Sequence, residues 1–312
     1  MSAGSVSDAT VNDVTISVVI ATRNRRTLLA ETIASIRVQS GPTFEMIVVD
    51  DASEDDTWDY LSGEGGVRAF RQQVRGERSR ARNVGLSHAR GKYVMFLDDD
   101  DLLRPRALSI LASALDRNPD AIASIGARWD WYTHEHWGLR DTHPRFERKR
   151  IMFDEFLFGW SAVSGQNLYR TDVVRSVSGY DNSLTYTEDR DLWLRISRLG
   201  PVVIRPETVM TYRVHRIQDR PPDIKQIRER SARRAIRSLP REERRRGLVI
   251  RRCYDLMLNA EEQMRSRRPV DGIRSAARAV MLQPGLLLTP LMGTWISQRL
   301  VRAAAHSLRS SH

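Results

Sequence analysis

Tyr93-Val94-Met95-Phe96-Leu97-Asp98-Asp99-Asp100-Asp101 joins an unbroken apolar run to four consecutive acids. An apolar run of this length predicts a strand buried on both faces, with its carboxyl end delivering negative charge to one edge of a sheet. Carboxylates a few ångströms apart repel unless some bind protons or a hard cation such as Mg²⁺ or Mn²⁺ neutralises them. Four acids taken alone read better as a solvated loop than as a metal site, so the flanking sequence has to decide.

On either side, strand and helix patterns alternate, as in an α/β layer fold with a largely parallel sheet. Strands are expected at Ile16 to Ala21, Phe44 to Val49, Val67 to Phe70 and Tyr93 to Leu97. Helices are expected at Thr27 to Val38, Ser79 to Ala89 and Pro105 to Asp116, the last with proline suited to a first turn. In such sheets ligands gather at the carboxyl ends of the strands.

Two of those ends are informative. The first strand runs into Ala21-Thr22-Arg23-Asn24-Arg25, which contains no glycine. That excludes the glycine-rich phosphate cradles of dinucleotide folds and P-loops. The second ends in Val48-Val49-Asp50-Asp51-Ala52-Ser53, where carboxylates suit a base N–H or ribose hydroxyls and Ser53 or Asp55 suits a helix cap.

With 312 residues, 41% of them hydrophobic, the chain is long enough for one large domain or a domain plus an extension. Its single cysteine, Cys253, excludes an intramolecular disulfide and a cysteine zinc site, and fits a reducing, cytoplasmic setting. Residues 1–14 are small, polar and acidic, and read as a disordered leader rather than a secretory signal. The formal charge of +11 is unevenly placed: residues 1–215 carry 28 basic against 30 acidic side chains, and residues 216–312 carry 22 against 9. A basic tail of this kind fits nucleic acid, anionic lipid, an acidic substrate or a solvated helical face.

In order along the chain, ISVVIATRNR, FEMIVVDDASEDDTWDYL, ERSRARNVGLSHARGKYVMFLDDDDLLRP, GYDNSLTYTEDRDLWLRISRLG and TYRVH resemble the motifs of family 2 glycosyltransferases of the GT-A fold. The resemblance covers residues 15–215 and implies a mainly parallel sheet flanked by helices, followed by a basic helical region over 216–312. It implies that Asp51 meets the nucleotide base, with Ala21, Thr22, Arg23 and Asp50 lining the same pocket. Arg78, and after it Arg82, would meet the base or phosphates. Asp98 and Asp100 would hold Mg²⁺ or Mn²⁺, with Asp98 and Asp99 also facing the donor, Asp99 standing where the family more often has a small residue. His215, ending an expected strand Val209 to Val214, would be a further ligand or a diphosphate contact.

The Glu188-Asp189 pair opens an expected helix with a core-facing stripe of Leu192, Trp193, Ile196 and Leu199, and acids in a first turn are also ordinary caps. By resemblance Asp189 is the base that deprotonates the acceptor hydroxyl, and Glu188 orients it. A single displacement would then invert the sugar, as in hexosyltransferases of this kind. The implied donor is a nucleotide diphosphate sugar of the UDP or dTDP type; the acceptor is a glycan, a lipid-linked or a small molecule.

The segment Trp129 to Trp160 is rich in tryptophan and carries His134, His136 and His143, which suits either sugar stacking or core. Ser164-Gly165-Gln166-Asn167 falls on the expected acceptor side. Helices are expected over Ile224 to Ser238, Glu242 to Ser266, Val270 to Gln283 and Leu291 to Ser307, forming a bundle on the catalytic domain, a dimerisation element or a peripheral contact at the inner membrane face. No nucleic-acid partner is expected of the glycosyltransferase. The alternatives are a nucleotidyltransferase of similar fold, which would want a glycine-rich basic loop after the first strand, and a non-catalytic nucleic-acid-binding protein using the tail.

Overall fold

A computed structural model describes residues 14–132, 139–141, 150–214 and 222–287. Its first half alternates as the pattern predicts: β1 (Ile16–Thr22), α1 (Arg26–Arg37), β2 (Phe44–Asp50), α2 (Thr57–Gly63), β3 (Val67–Arg71), α3 (Glu77–His88) and β4 (Tyr93–Asp98). There follow β5 (Leu102–Leu103), α4 (Ala107–Asp116), β6 (Ala123–Tyr132), β7 (Leu139–Asp141), β8 (Arg150–Ile151), α5 (Phe153–Phe158), β9 (Asn167–Arg170), α6 (Thr171–Ser176), α7 (Glu188–Ile196) and β10 (Val202–Val214). The C-terminal region supplies α8 (Ile224–Arg237), α9 (Arg241–Arg265), α10 (Pro269–Leu282) and the short α11 (Pro284–Leu287).

The strands form one sheet in the order β3-β2-β1-β4-β9-β6-β10-β5, with β7 beside β6 and β8 beside β10. β3, β2, β1 and β4 are parallel, and β9 runs antiparallel to both β4 and β6. The near-continuous apolar runs of β1, β2 and β4 follow from burial on both faces. Alternate residues point to opposite sides: Val19, Ile47, Val49, Val94 and Phe96 join one core, while Val18, Ile20, Val48, Met95 and Leu97 join the other. Gly85 lets α3 lie flat on β1, since a Cβ there would collide with Val19.

The first core also takes in Ala232 and Ile236 of α8, Ile250, Cys253 and Tyr254 of α9 and Ala279 of α10, so the C-terminal helices pack on the sheet domain. Several tail arginines are used in that packing. Arg234 donates to Asp181 at 2.7 Å and to Asp191, Arg246 pairs with Asp154, and Arg251 reaches Leu157 O at 3.2 Å. Basic helices are thus matched with acids of the first 215 residues. No helix of the described residues is long and apolar enough to cross a membrane.

Two readings need adjustment. α7 stops at Ile196, so Leu199 lies beyond it and is 54% exposed rather than core-facing. The helix expected from Pro105 starts at Ala107, after Arg106 takes a left-handed conformation. Residues 1–13 of the expected leader, the three histidines at 134, 136 and 143, His215 and the helix expected over 291–307 lie outside the described residues.

Candidate active site

Strand register brings the acidic ends together. Ala21 is opposite both Val49 of β2 and Asp98 of β4, and Thr22 is opposite Asp50. These ends border an open cleft of about 880 Å³ that is also lined by the first turn of α7 and by residues of α8 and α9.

On one wall Asp51, 5% exposed, accepts from Gln72 Nε2 at 2.8 Å and from the Gly76 amide at 2.6 Å. Both bonds end on Oδ1, and Asp51 also lines the cleft. Asp50 is fully buried: it accepts from the Ser53 amide and hydroxyl and pairs with Arg71 at 3.3 Å. It therefore shapes the β2–α2 turn from beneath and is not a lining residue of the cleft. Ala21, Thr22 and Arg23 line it, Arg23 tied to Glu54 at 2.9 Å.

The four-acid run splits by environment. Asp99 accepts from Thr22 Oγ1 at 2.7 Å and from Arg25 at 3.0 Å, and the same Arg25 nitrogen reaches Asp100 at 2.7 Å. Burial pushes the Asp99 carboxyl up to about 6, with Asp100 adding like charge and Arg25 opposing. Asp101 is fully buried; its Oδ1 accepts the Arg213 amide at 2.9 Å, while its Oδ2 has no hydrogen-bond partner. Burial, with Asp98 and Asp100 adding like charge, holds its carboxyl well above the ordinary carboxylate range.

Asp98, Asp100 and Asp101 each offer an oxygen, all within 4.8 Å of one another. An all-oxygen set with an unsatisfied buried carboxylate oxygen fits a hard divalent cation, which would relieve the repulsion among these acids. The trio includes Asp98 and Asp100 of the sequence reading; Asp101 was quoted in the same run but given no role.

Arg82 joins the strand ends to α7. Its side chain is 2% exposed, with Nη2 2.5 Å from Asp98 and Nη1 3.0 Å from Glu188 and 3.5 Å from Asp189. The guanidinium also lies 5.1 Å from the Tyr180 ring centroid. Burial works to raise the Asp98 carboxyl, yet Arg82 above all holds it below its ordinary value. Arg78 is more exposed, at 55%, and only 3.9 Å from Glu188.

Asp189 lines the cleft and accepts from the Tyr180 hydroxyl at 3.2 Å and the Ser164 hydroxyl at 3.3 Å, both on Oδ1. Burial pushes its carboxyl up to about 6; Glu188 and Asp98 add to the rise, and Arg82 and Tyr180 oppose it. Glu188, buried, is not a lining residue and sits behind it on Arg82. Asn167 is also buried and donates to Val163 O at 2.6 Å.

Sequence reasoning gave no role to Arg25, Arg190 or Tyr254, which all line the cleft. Arg25 lies inside the quoted β1–α1 loop and Arg190 directly after the quoted acid pair, so adjacency was a usable signal. Tyr254 sits in the middle of α9, where nothing local distinguishes it from a core aromatic. Its ring reaches the cleft because Gly159 carries no side chain: a Cβ there would lie 2.5 Å from the ring.

The model of the family described as "Glycosyl transferase family 2" matches residues 17–177. The chain belongs to that family. An uncharacterized glycosyltransferase of Rickettsia prowazekii, RP339, is 25% identical over 69% of this chain and 68% of its own. An uncharacterized glycosyltransferase of Haemophilus influenzae is 23% identical over 64% of this chain and 65% of its own. In three dimensions, residues 1–349 of Staphylococcus aureus TarS superpose with a TM-score of 0.63 at 17% identity, covering 96% of this chain and 92% of that one. The fold is accordingly GT-A, and TarS has been solved in complexes with UDP and with UDP-GlcNAc.

Proposed function

We propose that the protein transfers a sugar from a UDP- or dTDP-type nucleotide diphosphate sugar to an acceptor hydroxyl with inversion, assisted by Mg²⁺ or Mn²⁺. The observation that carries this reading is the placement of Asp189 and Asp98, the first acid of the run, at the two terminal nitrogens of one buried arginine, along one cleft. The TarS complexes with UDP and UDP-GlcNAc support the donor class.

In this reading Asp51, held by Gln72 and Gly76, receives the base, and Thr22 and Arg23 border it. Asp98, Asp100 and Asp101 would hold the cation, which when bound offsets charge developing on the departing diphosphate. Asp189 takes the proton from the acceptor hydroxyl as its oxygen attacks the anomeric carbon from the face opposite the diphosphate. Tyr180 and Ser164 fix one carboxylate oxygen by hydrogen bonds, which orients the group for the acceptor. A carboxyl raised to about 6 is a stronger base than an ordinary aspartate yet is still mostly ionised at neutral pH. Arg82 keeps the acids of the two walls compatible within a few ångströms.

The experiment is a screen of nucleotide sugars with purified protein and Mn²⁺, read as released nucleotide diphosphate. Metal-dependent release from a UDP- or dTDP-sugar is expected, and transfer to an acceptor with opposite anomeric configuration. Formation of a nucleotide sugar from a nucleoside triphosphate and a sugar phosphate would instead establish a nucleotidyltransferase.

A further inference from the structure

Arg190 follows the proposed base in sequence and lines the cleft, yet its chemistry is not used by the donor reading. It is 7% exposed, and its Nε and Nη2 have no hydrogen-bond partner. Among the described residues no carboxylate pairs with it; its neighbour is Tyr254, whose ring centroid lies 5.7 Å away and whose hydroxyl takes a side-chain hydrogen bond from it. A buried guanidinium with unmet donors is costly unless a ligand meets them.

The surroundings deepen the deficit. Arg228 of α8 lines the same cleft, lies near enough for its charge to act on Arg190, and forms no ion pair with a described residue. Arg251 is already engaged by Glu229 at 2.6 Å and Leu157 O at 3.2 Å, so its charge adds to the local positive potential while its hydrogen bonds are largely taken. Burial pushes the Arg190 guanidinium down to about 10, with Arg251 and Arg228 adding like charge and Tyr254 opposing. Even so it is cationic at neutral pH. Asp98 and Glu188 are engaged by Arg82, and Asp99 and Asp100 by Arg25.

Resting on the glycosyltransferase reading, we infer that the cleft binds an oxyanion carried by the acceptor, a phosphate ester or a carboxylate, through Arg190 with Arg228 beside it. A planar guanidinium with two free donors suits two oxygens of such a group. Because Asp189 and Arg190 line the same cleft, an anion held there would set the acceptor hydroxyl near the base. α8 and α9, which supply Arg228 and Tyr254, then act in acceptor choice, a role for the C-terminal region beyond packing.

The test is calorimetric titration of inorganic phosphate, and separately acetate, into the protein, both free and saturated with UDP and Mg²⁺. Saturable binding of phosphate or acetate to the loaded protein is expected, with the preferred anion indicating phosphate or carboxylate as the source. Arg190→Gln should weaken it at least tenfold and Arg228→Gln less, while UDP affinity stays within about twofold. Arg190→Lys keeps charge in the site and should retain part of the affinity, which separates anion recognition from a folding defect. No anion binding to the loaded wild type, or equal binding by Arg190→Gln, would overturn the inference. So would a UDP affinity that falls as far as the anion affinity, since Arg190 would then serve the donor. Should UDP fail to bind the wild type, the donor reading fails, and anion binding to the free protein with its loss in Arg190→Gln still decides the role of Arg190.

Discussion

Arg82 donates to Asp98 at 2.5 Å from a position that is 2% exposed, linking the end of the fourth strand to a helix buried against the sheet. The same guanidinium reaches Glu188, so one cation holds acids from segments about ninety residues apart in sequence. A buried charge so surrounded is valuable less for net attraction than for what its removal would leave behind.

Replacing Arg82 with Met should destabilise the protein by about 3–5 kcal/mol, because Asp98, Glu188 and Asp189 lose their shared partner. Without Arg82, Asp98 and Asp189 protonate more readily in the folded than in the unfolded chain. The deficit should therefore shrink as pH falls, measured by urea unfolding at pH 5 and pH 8. An equal deficit at both values would mean that lost packing, not charge, is responsible.

Gly159 has φ +131, and a Cβ there would lie 2.5 Å from the Tyr254 ring. Gly159→Ala should cost about 1–3 kcal/mol and displace Tyr254 from the cleft. Thermal unfolding gives the first quantity. Recovery in a Gly159→Ala, Tyr254→Leu double variant would locate the clash; no recovery would leave backbone strain as its source.

Activity should follow the ionisation of Asp189. With its carboxyl at about 6, kcat/KM should fall tenfold per pH unit below that value as the base binds a proton. The stability contribution has the opposite sense: a folded value above the ordinary 3.8 stabilises at low pH, and that contribution is lost as pH rises through about 6. Asp99 titrates in the same window, so the acid limb should persist in Asp99→Asn if Asp189 is its source. A pH profile flat from 5 to 8 would remove Asp189 from the rate law.

Chelation should weaken UDP binding by at least about tenfold, and Asp98→Ala or Asp101→Ala should bring the metal-loaded protein toward the chelated value. Equal UDP affinity with Mn²⁺ and with chelator would take the cation out of donor binding.

How much of this could be read from sequence depends on whether the signal was local. β1, β2 and β4 announced themselves because burial on both faces demands uninterrupted apolar runs, and parallel pairing then fixes their acidic ends side by side. β6, with Gly126, Arg128 and Asp130 inside it, and the four-residue β9 lack that signature; they are strands because neighbours pair with them. In the site, acids in adjacent pairs were visible, but their division of labour was not. That Asp50 faces a turn while Asp51 faces the cleft, or that Arg82 rather than Arg78 is buried between carboxylates, is decided by packing. The basic excess of the tail was legible as a count, whereas its partners Asp154, Asp181 and Asp191 belong to the other end of the chain and only folding pairs them.

The central claim is that Asp189 is the base, and Asp189→Asn tests it most directly because the change keeps shape and removes basicity. Turnover with a UDP- or dTDP-sugar and UDP affinity should be measured on the same purified variant. The account predicts a kcat lower by roughly 10²- to 10⁴-fold with UDP affinity nearly unchanged. Near-normal turnover in a folded, UDP-binding Asp189→Asn protein would contradict it.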